Sequence, residues 1–203
     1  LDSKHVSDIT FGAFDCTVYP LIKFWGFLKT KQTQTSVNYD YLDSILNYVS
    51  YKNIWLEGDS ILFKKNKHIK IDFNGIAQGW ITDQITTLLK KNGFTNTLVD
   101  FGESYASGLY EEKRNWNILI LGRDTEIFIS LSNKAIATSA GHGTIFEPTM
   151  KYHHIFNTKN GLSSNNFKTV SIISNKAWIA DAISTSSLSM NKESLLELSK
   201  NLD

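Results

Sequence analysis

Leu42, Ile45, Leu46 and Val49 recur at the spacing of a helix with one buried face, which predicts a helix over 41–49. The spacing returns at Ile81, Ile85, Leu88 and Leu89. Lys90 and Lys91 then sit where a last helical turn favours cations, and Gly93 is the expected stop. Between these helices, Ile54-Trp55-Leu56 and Ile61-Leu62-Phe63 flank Glu57-Gly58-Asp59-Ser60, the pattern of a β-hairpin. Residues 68–73 (HIKIDF) alternate apolar and polar, as a half-buried strand would. Beyond Gly93 the pattern predicts mostly strands: 97–101, 104–108, 116–122, 126–131, 135–139, 152–156 and 169–174. A helix is predicted over 177–190, and a last amphipathic helix follows Asn191, a suitable N-cap. The chain opens with a short polar lead and an aromatic-rich piece, VYPLIKFWGF, and 29–39 reads as a polar loop. Helices and strands mix without strict alternation. The expected fold is therefore α+β, with a largely antiparallel sheet flanked by helices.

Composition narrows the function. With 21 basic and 20 acidic residues the net charge is +1, which gives no electrostatic case for nucleic acid as a partner. The nearest approach to a basic run is Lys64, Lys65, Lys67 and Lys70, which reads as a solvated edge. The single cysteine, Cys16, lies in an apolar stretch and reads as a buried, inert thiol. No apolar run approaches the 18 residues of a membrane span. A length of 203 residues favours one domain over 1–203. The first residue is Leu, so a fragment or a processed chain is expected.

The chemistry concentrates in AWIADAISTSSLSM. On a helix, Asp181 falls three residues before Ser184 and four before Thr185, which places three oxygens on one face. Such hard oxygens suit Mg²⁺. Four consecutive hydroxyls, Ser184 to Ser187, are not what helix propensity favours. The plain alternative is a helix start in which Asp181 caps and the hydroxyls fill small spaces. Four more stretches carry polar residues that a plain fold would not need: 12–17 (GAFDCT), 72–79 (DFNGIAQG), 100–103 (DFGE) and 152–157 (YHHIFN). A glycine-rich turn opening a helix, as at Asp72 to Gly79, is a weak sign of phosphate binding.

In this order, GAFDCTVYPLIKFWGF, IDFNGIAQGWITDQ, LVDFGES, AIATSAGHG, YHHIFNTKNG and ADAISTS resemble the flavin transferases of the ApbE family, the FAD:protein FMN transferases. The resemblance runs from about Ile9 to Met190. The family pattern has a glycine pair where this chain has Gly102-Glu103, a Lys at Gln78, a Gly at Ala140, and Asp-Pro at Asn157-Thr158. Family members usually carry a further N-terminal segment and continue past the last helix, so the chain reads as a single flavin transferase domain truncated at both ends.

The resemblance implies the fold and a reaction. FAD binds with Mg²⁺, a threonine hydroxyl of a target flavoprotein takes the FMN phosphoryl group, and AMP leaves. The target would be of the membrane redox-complex class, and the location periplasmic or membrane-anchored. By the motif match the metal ligands are Gly75 (through its carbonyl), Asp181, Ser184 and Thr185. The flavin contacts are Ala13, Phe14, Asp15, Asp72, Gln78 and Ile155, and the general base is His154. If 152–156 is a strand, His153 points to the other face. Two other functions stay open: hydrolysis of FAD to FMN and AMP, and FAD binding without turnover.

Overall fold

A computed structural model describes residues 2–26, 37–64, 68–121, 126–145, 149 and 151–200. Most of the expected 29–39 loop, together with Lys65 and Lys67, lies outside the described residues. The chain forms two compact units, each assembled from separate stretches of sequence. The first unit takes Leu1–Phe73, Gly141–Phe167 and Ser186–Asp203, and the second takes Asn74–Ala140 and Lys168–Thr185.

The first unit holds helices α1 (Asp2–Ile9), α2 (Tyr19–Phe24) and α3 (Tyr39–Leu46), and the hairpin β1 (Ile54–Glu57) and β2 (Ser60–Phe63). Asn38 caps α3, its side-chain oxygen accepting from the Tyr41 N–H at 3.0 Å. Leu21, Ile22, Trp25, Leu42, Ile45, Val49 and Phe156 make its apolar core. Trp25 ties the 152–161 segment to that core. Its ring stacks on Phe156 at 6.3 Å and leans on Tyr152 at 4.8 Å, and its indole N–H donates to the Gly161 carbonyl at 2.8 Å. The anchor fixes the segment that carries the two histidines.

The second unit holds helix α4 (Asn74–Lys91), the strands β3 (Thr97–Asp100), β4 (Ser104–Ser107), β5 (Trp116–Leu121), β6 (Glu126–Leu131), β7 (Lys134–Ala140) and β8 (Thr169–Ser174), and most of α5 (Ala177–Ser187). Strands β3, β4, β7 and β8 form an antiparallel sheet in that order, and β5 pairs antiparallel with β6. Ala106, Ile120, Leu131 and Ile136 cluster beneath them. The last helix, α6 (Lys192–Lys200), belongs to the first unit and is capped by Asn191, which accepts from the Ser194 N–H at 2.8 Å.

The α+β fold with antiparallel sheets is as expected, but three local expectations are corrected. The polar lead is helix α1, with Val6 fully buried on its inner face. Residues 68–73 form no strand. Their alternation reflects irregular extended chain whose Asp72 N–H donates to the Cys16 carbonyl at 2.7 Å. Residues 152–156 form no strand either. They make only the isolated bridges Ile145–His153 and Phe156–Ser163, and their aromatic content serves the core around Trp25. Among the described residues no helix is long and apolar enough to cross a membrane.

Candidate functional site

Asp181, Ser184 and Thr185 lie on α5, one helical turn apart, and share a face. Asp181 is not the helix cap. It is the fifth residue of α5, and Asp83 of α4 performs the capping, its two carboxylate oxygens accepting from the Ala177 and Trp178 N–H groups at 3.1 Å each. Asp83 stands at the end of the IDFNGIAQGWITDQ stretch, and sequence reasoning gave it no role.

Asp181 is 4% exposed, and its Oδ2 accepts from the Gly79 N–H at 3.0 Å. In a regular helix that N–H would serve the Gly75 carbonyl. Gly75 departs from helical angles (φ −83°, ψ 17°), and the Gly79 N–H is aimed at Asp181. Burial pushes the Asp181 carboxyl up to about 6, against the opposing Gly79 N–H. Gly79 has no room for a side chain, since a Cβ there would stand 2.4 Å from the Ala177 carbonyl oxygen. Gly79→Ala is expected to lose about 3 kcal/mol or more by forcing α4 and α5 apart. The urea-unfolding midpoint measures this, and an unchanged midpoint contradicts the close contact.

Ser139 of β7 closes the hydroxyl face. Its Oγ lies 2.7 Å from Ser184 Oγ and 3.2 Å from Thr185 Oγ1. Ser184 is fully buried and also donates to the Asp181 carbonyl at 3.0 Å, whereas Thr185 is only half-buried. Thr185 is thus the more accessible hydroxyl of the two.

A second carboxylate joins the cluster. Glu103, between β3 and β4, is 7% exposed. The Thr138 N–H donates to its carboxylate, while Oε2 is buried with no hydrogen-bond partner. Burial, then the Asp181 charge, push the Glu103 carboxyl up to about 8. Gln78 flanks the same turn. A Cβ on Gly102, where φ is +94°, would meet the Gln78 side-chain nitrogen at 2.8 Å. The second unit therefore gathers Gln78, Gly79, Glu103, Ser139, Asp181, Ser184 and Thr185, with Gly75 one turn before Gly79 on α4. Glu103 and Ser139 were not expected as site residues. The only sequence signal for Glu103 was an acidic residue replacing a glycine.

These oxygens fit a hard divalent cation. Mg²⁺ takes one or two carboxylates with hydroxyl, carbonyl and water oxygens, and needs no larger ligand cage. Among the described residues no group of three or more His, Cys, Asp or Glu that could hold a metal ion comes together, so any cation here would rest on two carboxylates at most, with hydroxyl, carbonyl and water oxygens. The raised Glu103 carboxyl also carries a sign for stability. The folded, cation-free protein holds a proton there that the unfolded chain has released above about 4.5. Folding stability from this group falls as pH rises from that value to about 8. The stability difference between parent and Glu103→Gln is therefore expected to shift towards the variant across this range in chelator. A pH-independent difference in thermal midpoint contradicts it.

The remaining expected residues lie in the first unit. Asp15 is 7% exposed and committed to the fold: Oδ1 accepts from the Thr17 N–H at 2.8 Å and the Thr17 hydroxyl at 2.6 Å, and Oδ2 from the Tyr51 N–H at 2.8 Å. Burial raises its carboxyl above the usual range. Phe14 and Ile155 are buried and Asp72 is half-buried. Ala13 lines a cleft of about 210 Å³ with Thr10, Asn157, Thr158 and Asn166.

The two histidines do different work, for a reason other than strand alternation. His153 is 3% exposed and engaged at both ring nitrogens, donating from Nε2 to the Ser164 carbonyl at 2.6 Å and accepting at Nδ1 from the Ile155 N–H at 3.3 Å. His154 donates from Nδ1 to the Thr144 carbonyl at 3.1 Å, which makes Nε2 the basic nitrogen. Burial holds both imidazoles below the usual histidine value, so both are neutral near pH 7.

The arrangement of strands and helices is that of solved flavin transferases. The flavin transferase ApbE from Vibrio cholerae shares the fold with a TM-score of 0.87 and 24% identity, over 98% of this chain and 66% of that one. The ApbE protein from Thermotoga maritima gives a TM-score of 0.86 and 26% identity, over 97% of this chain and 66% of that one. The ApbE family model matches residues 1–203, and the chain belongs to that family. Among curated relatives, the FAD:protein FMN transferase of Vibrio cholerae is 28% identical over 200 residues, which is 95% of this chain and 60% of that protein. The one from Chlamydia pneumoniae is 29% identical over 180 residues, 86% and 56% respectively. The chain spans about 60% of the length of these relatives.

Proposed function

We propose that the protein moves the FMN half of FAD onto a threonine hydroxyl of a target protein and releases AMP, with Mg²⁺ bound. The observation that carries this reading is the oxygen cluster around Asp181, in a chain of the ApbE family. Asp181, Thr185 and the Gly75 carbonyl would hold the cation, with Ser184 beside them. Bound there, Mg²⁺ would neutralise the pyrophosphate and the charge that develops on the leaving phosphate.

The chain's own groups have separate tasks. The Gly79 N–H orients the Asp181 carboxylate, and Asp83 fixes the start of α5 so that its oxygen-bearing face is set before any ligand arrives. The Thr144 carbonyl holds His154 in the tautomer that can accept a proton at Nε2. That proton comes from the acceptor threonine as its oxygen forms the new P–O bond. The pyrophosphate P–O bond breaks, and AMP leaves with the electron pair. Ala13, Phe14, Asp15, Asp72, Gln78 and Ile155 are proposed to contact FAD on the strength of the motif match. Asp15 would do so with backbone or carbon atoms, because both its carboxylate oxygens are engaged. A membrane redox-complex subunit as target, and a periplasmic or membrane-anchored location, belong to the same reading.

Release of AMP from FAD with Mg²⁺ and a threonine-bearing target peptide, followed by chromatography, tests this function. AMP without added divalent cation, or none with it, contradicts it. Asp72→Ala is expected to weaken FAD binding by about tenfold or more, the scale of one lost hydrogen bond to a charged group. Unchanged affinity in a fluorescence titration counts against a flavin contact at Asp72.

A further inference from the structure

Glu103, in the turn between β3 and β4, is the second carboxylate of the cluster. The residue is 7% exposed, and its Oε2 is buried. A buried carboxylate oxygen without a donor is costly, and native proteins rarely leave one so. The Thr138 N–H satisfies one side of the carboxylate, and Oε2 is orphaned. Thr138 directly precedes Ser139, whose hydroxyl meets Ser184 and Thr185. The Glu103 carbonyl is held by the Thr82 hydroxyl of α4 at 3.2 Å, one turn beyond Gly79. The residue is thus pinned to both elements that border Asp181, and the Asp181 charge reaches it. A divalent cation held by Asp181 and the neighbouring hydroxyls would supply the missing partner of Oε2.

We propose that Glu103 is a direct ligand of the divalent cation, giving this protein a two-carboxylate site with Asp181. The inference rests on the reading of Asp181 as a cation ligand. A second carboxylate cancels both charges of the ion within the protein and lets the site hold it before FAD binds.

The test is cation binding without flavin. Mg²⁺ is titrated into the full chain by calorimetry, and Mn²⁺ by electron paramagnetic resonance. The parent protein is expected to bind both. Glu103→Gln keeps the shape of the side chain and removes its charge, and it is expected to weaken binding by at least about tenfold, the lower end of what even indirect partners of a ligand contribute. Glu103→Asp keeps the charge but withdraws the oxygens by one methylene, and it should weaken binding similarly. Parental affinity in Glu103→Gln overturns the proposal, as does parental affinity in Glu103→Asp, which would mean that charge at a distance suffices. If either occurs while Asp181→Ala still abolishes binding, only Glu103 is misassigned. If the parent binds neither ion, the Asp181 reading falls as well. Thermal melts in chelator keep the comparison valid: Glu103→Gln should be at least as stable as the parent, so weak binding is not lost fold.

Discussion

Asp181→Ala is expected to cut Mg²⁺-dependent AMP release from FAD by about 10³-fold or more, which corresponds to the several kcal/mol of charge stabilisation that a cation supplies to phosphoryl transfer. Asp181 is the carboxylate on the hydroxyl-bearing face of α5, and its second task is small: it accepts one hydrogen bond, from Gly79. Its buried carboxyl is already raised to about 6, so removing it relieves desolvation as well as losing that bond. The variant should therefore fold, with a thermal midpoint in chelator close to that of the parent. Near-parental AMP release from a folded variant contradicts the cation assignment.

His154→Ala is expected to slow transfer by about 10²-fold or more, the low end of general-base contributions. The pH profile carries the sign. Burial lowers the imidazole, so the neutral base form persists below the usual histidine value of about 6.5. Transfer should fall as pH drops below that value, and His154→Ala should lose the histidine's share of this acid limb while the share set by Asp181, whose carboxyl is raised to about 6, remains. His153→Ala should behave differently. Its ring bridges the Ser164 carbonyl and the Ile155 N–H, so truncation leaves buried groups unpaired and lowers stability by about 1–3 kcal/mol, with a smaller effect on turnover. A flat acid limb in the parent, or near-normal turnover in His154→Ala, means that the hydroxyl needs no base from this residue.

Long periodic segments were legible in the sequence. Helices α3 and α4, the β1–β2 hairpin and the β3–β8 strands follow from spacing and turn residues. The segments that failed share a cause. Residues 68–73 and 152–156 alternate like strands, yet single long-range contacts decide their conformation, from Asp72 to Cys16 and from Trp25 to Phe156 and Gly161. No local pattern records such partners. The face of α5 was readable because Asp181, Ser184 and Thr185 are close in sequence. Asp83, Glu103 and Ser139 were not, because they reach α5 from other elements. A carboxylate that caps a helix 94 residues away leaves no periodic trace.

Mass spectrometry of a threonine-bearing target peptide, incubated with this protein, FAD and Mg²⁺, tests the proposed transfer most directly. The expected result is FMN joined to the threonine through a phosphoester, with one AMP released per modified peptide and neither product formed in chelator. An unmodified peptide with free FMN and AMP in solution would mean that water takes the place of threonine, and FAD left intact would mean that the chain binds flavin without turning it over.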